Sequence, residues 1–139
     1  MAAFVLDTSV TMAWCFTDEH DTYALGVLKK LEDDEAIVPF MWTLEVGNVV
    51  LVAERRNRLT TAESEQFLAL LRLLPITVDI ANTEEIPAKI IDLGRQYHLS
   101  TYDASFLDLA LNTGLPLATT DSPLRRAMVE TGVPLYKGK

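Results

Sequence analysis

Four acidic residues occupy positions in this chain where an isolated charge would be costly: Asp7, Glu45, Asp103 and Asp121. Asp7 directly follows the apolar run Phe4–Leu6, and Asp121 follows Leu115–Thr119 after one residue. Glu45 sits in Thr-Leu-Glu-Val-Gly-Asn-Val-Val, with Val49, Val52 and Ala53 at i+4, i+7 and i+8, so it faces or borders the apolar side of a helix. Asp103 has Phe106, Leu107, Ala110 and Leu111 at i+3, i+4, i+7 and i+8, which puts it on an inward stripe as well. Grouped carboxylates in such surroundings repel, and either their pKa values rise or a cation joins them. Oxygen donors with no Cys or His nearby suit a hard divalent ion such as Mg²⁺ or Mn²⁺. A few carboxylates, such an ion and a substrate phosphate are the equipment of phosphoryl transfer and of nucleases.

The grouping depends on the elements that carry these residues. Short apolar runs at Phe4–Leu6, Ala36–Phe40, Ile76–Ile80, Leu115–Thr119 and Val133–Tyr136 have the composition and boundaries of buried strands. Helical periodicity covers Tyr23 to Leu31, Trp42 to Arg56, a run after Thr60, Glu84 to Tyr97, Tyr102 to Asn112 and Leu124 to Glu130. Alternating strands and helices predict an α/β fold, a three-layer α/β/α sandwich around a mostly parallel sheet of about five strands. In such sheets the chemistry lies at the carboxyl ends of the strands. Asp7 and Asp121 follow strands, and Glu45 lies early in a helix leaving that edge. The helix of Asp103 feeds the strand Leu115–Thr119, which starts at the opposite edge, so its first turn also lies at the carboxyl edge. The spacing therefore brings four acids from distant segments to one rim.

Three of the four fit structural roles too. Asp7 before Thr8-Ser9 reads as a helix cap, Ser100-Thr101-Tyr102-Asp103 as a capping box, and Asp121-Ser122-Pro123 as a helix start. Glu45 has no such reading.

Composition bounds the rest. The 139 residues suit a single domain spanning 1–139, and 49% apolar content excludes a disordered chain. One cysteine, Cys15, excludes an intrachain disulfide and fits a reducing compartment. No signal-like start and no apolar stretch approaching the ~20 residues of a membrane span point to a cytoplasmic protein. With 12 Lys+Arg against 20 Asp+Glu, the net charge of −8 is opposite to that of a nonspecific nucleic-acid binder. It favours metal cations or a basic protein partner.

The chain resembles PIN-domain ribonucleases, and within them VapC-type toxins of bacterial toxin–antitoxin pairs. Phe-Val-Leu-Asp7-Thr8-Ser9-Val resembles the family's first motif and Leu44-Glu45-Val46-Gly47-Asn48-Val49-Val50 the second. Leu99-Ser100-Thr101-Tyr102-Asp103-Ala104-Ser105-Phe106 is similar to the third, and Leu117-Ala118-Thr119-Thr120-Asp121-Ser122-Pro123-Leu124 to the fourth. The resemblance runs nearly the whole chain, in the family's order. It implies that Asp7, Glu45, Asp103 and Asp121 are the catalytic, metal-binding acids. Ser9 and Thr119 fall at supporting hydroxyl positions, with Asn48 a further candidate one turn after Glu45. It also implies Mg²⁺ or Mn²⁺, an RNA substrate cleaved by a metal-activated water, a cognate antitoxin partner and a homodimer. The alternative is a catalytically inactive PIN-like module that only binds RNA or protein; a receiver-type or aspartyl-phosphate phosphatase fits less well, since Asp7-Thr8-Ser9 lacks a second acid.

Other residues read as structural. Arg55, Arg56 and Arg58 form a basic helix end favoured by the macrodipole, whereas Arg125 and Arg126, one turn past Asp121, are better placed to meet substrate. Glu32 to Glu35 reads as an acidic loop, and Asp108, five residues past Asp103, as a solvated acid. His20 and His98 read as surface residues, Cys15 as a small buried hydrophobe, and Met12, Trp14, Phe16, Met41 and Trp42 as core.

Overall fold

The computed structural model describes residues 2–80 and 86–137. Four strands form one sheet: β1 (Ala3–Leu6), β2 (Glu35–Pro39), β3 (Ile76–Asp79) and β4 (Leu117–Ala118). Their order is β3-β2-β1-β4, and every pairing is parallel. Helices α1 (Thr8–Cys15), α2 (Thr22–Lys30), α3 (Phe40–Arg55), α4 (Thr61–Leu73), α5 (Ala88–Tyr97), α6 (Thr101–Thr113) and α7 (Ser122–Thr131) flank it. Phe4, Val5, Leu6, Val38 and Leu117 are fully buried in the sheet, and Phe106 and Leu107 of α6 are buried with them. Among the described residues, no helix is long and apolar enough to cross a membrane.

The expected fifth strand is reduced to a single parallel bridge between Leu117 and Leu135. Leu117 N–H donates to the Pro134 carbonyl at 3.0 Å and Tyr136 N–H to the Leu117 carbonyl at 2.9 Å. The ladder goes no further because β4 is itself two residues long and Pro134 has no N–H to give. The periodicity over Glu84 to Tyr97 is realised as α5 from Ala88; Glu84 and Glu85 lie outside the described residues.

Helix α1 starts where the cap reading of Asp7 puts a helix, but it has no counterpart among the helices expected from periodicity. Thr8, Val10, Thr11, Met12 and Trp14 are all buried, so the helix is enclosed rather than amphipathic and carries no 3.6-residue stripe. Helix α4 begins with a complete capping box: Thr60 Oγ1 accepts from Glu63 N–H, and Glu63 Oε1 accepts from Thr60 N–H.

Candidate active site

β1 ends at Leu6, and its register with β4 continues one step further, where Asp7 N–H donates to the Ala118 carbonyl at 2.9 Å. Asp7 and Thr119 therefore leave the sheet side by side at its carboxyl edge. Asp7 takes the N-cap position of α1, yet its side chain makes no capping bond. Oδ2 instead accepts hydrogen bonds from Ser9 Oγ and from Thr119 Oγ1, both at 2.7 Å. Each hydroxyl in turn accepts a backbone N–H: Thr120 N–H on Ser9 Oγ at 3.1 Å, Asp121 N–H on Thr119 Oγ1 at 3.0 Å. With N–H donors behind them, both hydroxyl protons are turned toward Asp7. Asp7 is 2% exposed, and burial raises its pKa despite the Ser9 and Thr119 bonds that favour the charged form.

Glu45, in the second turn of α3, accepts from Thr8 Oγ1 at 2.8 Å. Burial lifts its pKa, the nearby Asp7 charge adds to the lift, and the Thr8 bond opposes it. Thr8 is the one supporting residue that motif reading passed over; its signal was its place directly beside Asp7. Asp103 lies in the first turn of α6, where Ser100 Oγ caps by accepting Asp103 N–H at 3.1 Å. Its carboxyl is pushed up to about 6, first by burial and then by the charges of Asp121, Asp7 and Glu45. Asp121 does cap α7: Oδ2 accepts from Leu124 N–H at 3.0 Å. Four segments thus bring their acids to one place, where Asp103 feels the charges of all three others and Asp7 that of Asp121.

No salt bridge involves any of the four among the described residues. Nor do three acids, histidines or cysteines among the described residues close into a group that would grip an ion directly. Asn48 is exposed, and no hydrogen bond joins it to the carboxylates among the described residues. The basic candidates divide. Arg58 pairs with Asp18 and Glu19 and lies 3.8 Å from the Phe16 ring centroid, a structural clamp. Arg55, Arg56 and Arg126 are exposed, whereas Arg125 is half-buried, its Nε donating to the Thr119 carbonyl at 2.7 Å.

Two acids expected at the surface are drawn inward. Asp34 is buried, accepting from Ala2 N–H at 3.1 Å and Tyr136 Oη at 2.6 Å. Asp108 has a side chain 16% exposed and accepts from Asn112 Nδ2 at 3.2 Å, with Lys89 Nζ at 3.6 Å. The packing of α5 on α6 covers it, which the phase of α6 alone does not reveal. Cys15 is half-buried, and His20 and His98 are exposed.

A parallel α/β domain with an acidic edge at its strand ends defines the class of protein. The PIN-domain family profile matches residues 4–129, and the chain belongs to that family. Solved structures with the same fold include PAE2754 from Pyrobaculum aerophilum (TM-score 0.67, 22% identity, 91% of this chain and 87% of that one). VapBC2 from Rickettsia felis, solved with a DNA fragment of its promoter, aligns over the whole of both chains (TM-score 0.68, 12% identity). A toxin–antitoxin complex from Klebsiella pneumoniae aligns at TM-score 0.56 and 18% identity, over 86% of this chain and 87% of that one. A search of curated protein sequences found no match.

Proposed function

We propose that this protein is a Mg²⁺- or Mn²⁺-dependent endoribonuclease of the VapC type, the toxin of a toxin–antitoxin pair. The observation that carries the reading is the acidic edge: Asp7, Glu45 and Asp121, each coupled to Asp103, in a PIN fold, with no cation among the described residues paired to any of the four. The kinship with VapBC2 and with the Klebsiella pneumoniae toxin–antitoxin complex supports a cognate antitoxin as partner.

The donor set fits a hard divalent cation. Its donors are carboxylate oxygens, and the raised pKa values of Asp7, Glu45 and Asp103 mark a place where positive charge is wanted. Asp7, Glu45, Asp103 and Asp121 would hold the ion, which when bound supplies a Lewis acid for the phosphodiester and acidifies a water.

The chain's own contribution is orientation. Ser9 and Thr119 fix the Asp7 carboxylate through Oδ2, and Thr8 fixes Glu45 through Oε1. The α7 cap holds Asp121 through Oδ2. Asp103 has the raised carboxyl that can hold a proton near neutrality and release it when positive charge arrives. This local neutralisation lets an RNA phosphate approach a chain of net charge −8.

The test is cleavage of a mixed RNA pool by purified protein with Mn²⁺, with Mn²⁺ plus chelator, and by Asp7→Asn. Cleavage that requires the metal and falls by two or more orders of magnitude in Asp7→Asn is expected; equal cutting by both proteins would assign the activity to a contaminant. Millimolar Mn²⁺ should raise the thermal midpoint of the wild type and not of Asp103→Asn.

A further inference from the structure

Arg125 follows the acidic edge by one helical turn, and its guanidinium is held against Thr119 and Tyr23 rather than paired with an acid. It leaves α7 one turn after the Asp121 cap, and its Nε–H reaches back to the Thr119 carbonyl at 2.7 Å. Its guanidinium carbon lies 5.0 Å from the centroid of the Tyr23 ring, within cation–π range. Tyr23, from α2, is itself held: its hydroxyl donates to the Tyr136 carbonyl at 2.6 Å. Burial drives the Tyr23 phenol up to about 12, so it stays a neutral donor.

Thr119 is fully buried and gripped on two sides. Its carbonyl lies one residue beyond the two-residue strand β4, where the ladder offers no further strand partner, and Arg125 supplies the donor. Its hydroxyl, on the other side, donates to Asp7 and accepts from Asp121 N–H. A rotation of the Thr119 peptide would move that hydroxyl off Asp7 and loosen the amides of Thr120 and Asp121.

We propose that Arg125, seated on Tyr23, is a positioning residue: it pins the Thr119 peptide from behind and so holds the Thr119 hydroxyl on Asp7. The proposal rests on the reading of Asp7 as part of a nuclease site. It assigns Arg125 no contact with RNA. Lysine cannot replace it, because an ammonium has neither the guanidinium's delocalised charge within reach of the Tyr23 ring nor the Nε–H in that position.

The experiment compares wild type, Arg125→Lys, Arg125→Gln and Tyr23→Phe, with Arg95→Gln as a charge-matched control on exposed α5. Steady-state RNA cleavage and amide hydrogen exchange of the chelator-treated protein are measured on each. Both Arg125 variants should lose kcat by roughly 10–100-fold, the usual effect of removing a partner that orients a ligand residue. KM should stay within about twofold, since no ground-state contact is lost. Exchange should quicken at Thr120 and Asp121 and not across the core, and Tyr23→Phe should shift both readouts the same way by less.

A rise in KM at constant kcat, with a salt slope of RNA binding reduced by about 1, would make Arg125 a phosphate contact and overturn the proposal. Unchanged exchange, or exchange that quickens uniformly with a lower Tm, would overturn it as well. Should the wild type not cleave RNA at all, the nuclease reading fails, and the local exchange pattern alone then decides whether Arg125 holds Thr119.

Discussion

On Asp103 three like charges and burial act in the same direction. Asp121 contributes the largest charge effect and also caps α7. Asp121→Asn keeps a capping oxygen and removes only the charge. In chelator-treated protein, side-chain ¹³C NMR should find the Asp103 carboxyl titrating at about 6 in the wild type and clearly lower in Asp121→Asn. The same shift sets a stability trend. Between the ordinary value of 3.8 and about 6, the folded state binds more protons than the unfolded chain, so stability falls as pH rises through that window and is level above it. Asp7 and Glu45, also raised, add to the same slope. Urea midpoints that climb from pH 4 to pH 6 would contradict the reading. At this scale the four acids are legible in two ways: Asp7 and Asp121 follow strands at one sheet edge, and Glu45 and Asp103 lie on the apolar faces of helices. Their hydroxyl partners were half legible: Ser9 and Thr119 came from the motifs, whereas Thr8 needed the crossing of α1 and α3.

The junction of α5 and α6 decides where Asp103 points. His98 ends α5 in the left-handed region at φ 56°, and Leu99 N–H returns to the Gly94 carbonyl at 3.0 Å. A Cβ built on Gly94 would lie 2.8 Å from the Leu99 carbonyl oxygen, a backbone atom that cannot step aside alone. Gly94→Ala should therefore cost ~1–3 kcal/mol in urea unfolding and displace the amide resonances of Ser100 and Asp103, which sit directly beyond the contact. An alanine as stable as the glycine would show that the junction has slack. The sequence places Gly94 within the helical run Glu84 to Tyr97, but the approach of Leu99 depends on how tightly the chain turns between the two helices. Helix α1 is marked in the sequence only by its cap position, not by periodicity, for a related reason. Its burial on all sides depends on α2 and α3 packing around it, and that leaves no stripe to read.

Across the whole molecule, the two ends of the described chain are fastened at one point. Tyr136 stacks on Phe4 of β1 with ring centroids 3.8 Å apart and donates to Asp34, which also accepts from Ala2 N–H. The Tyr136 bond is the main reason the Asp34 carboxyl lies below its usual pKa. Here the sign is opposite to that of Asp103. The contribution is present above the ordinary value of 3.8 and is lost as pH falls through the depressed folded value. Tyr136→Phe should cost more stability at about pH 7 than at about pH 3, as read from the urea midpoint of the variant against the wild type at each pH; an equal loss at both would remove Tyr136 as the cause of the Asp34 shift. The sequence by itself determined the alternation of strands and helices, the parallel sheet and the four acids at its carboxyl edge. Those features follow from periodicity, chain direction and local burial. Only the tertiary structure decided that Asp34 and Asp108 turn inward, that the last strand shrinks to one bridge, and that Arg125 faces Thr119 rather than solvent. Each of those outcomes depends on which distant surface arrives to cover a side chain, and spacing along the chain carries no record of it.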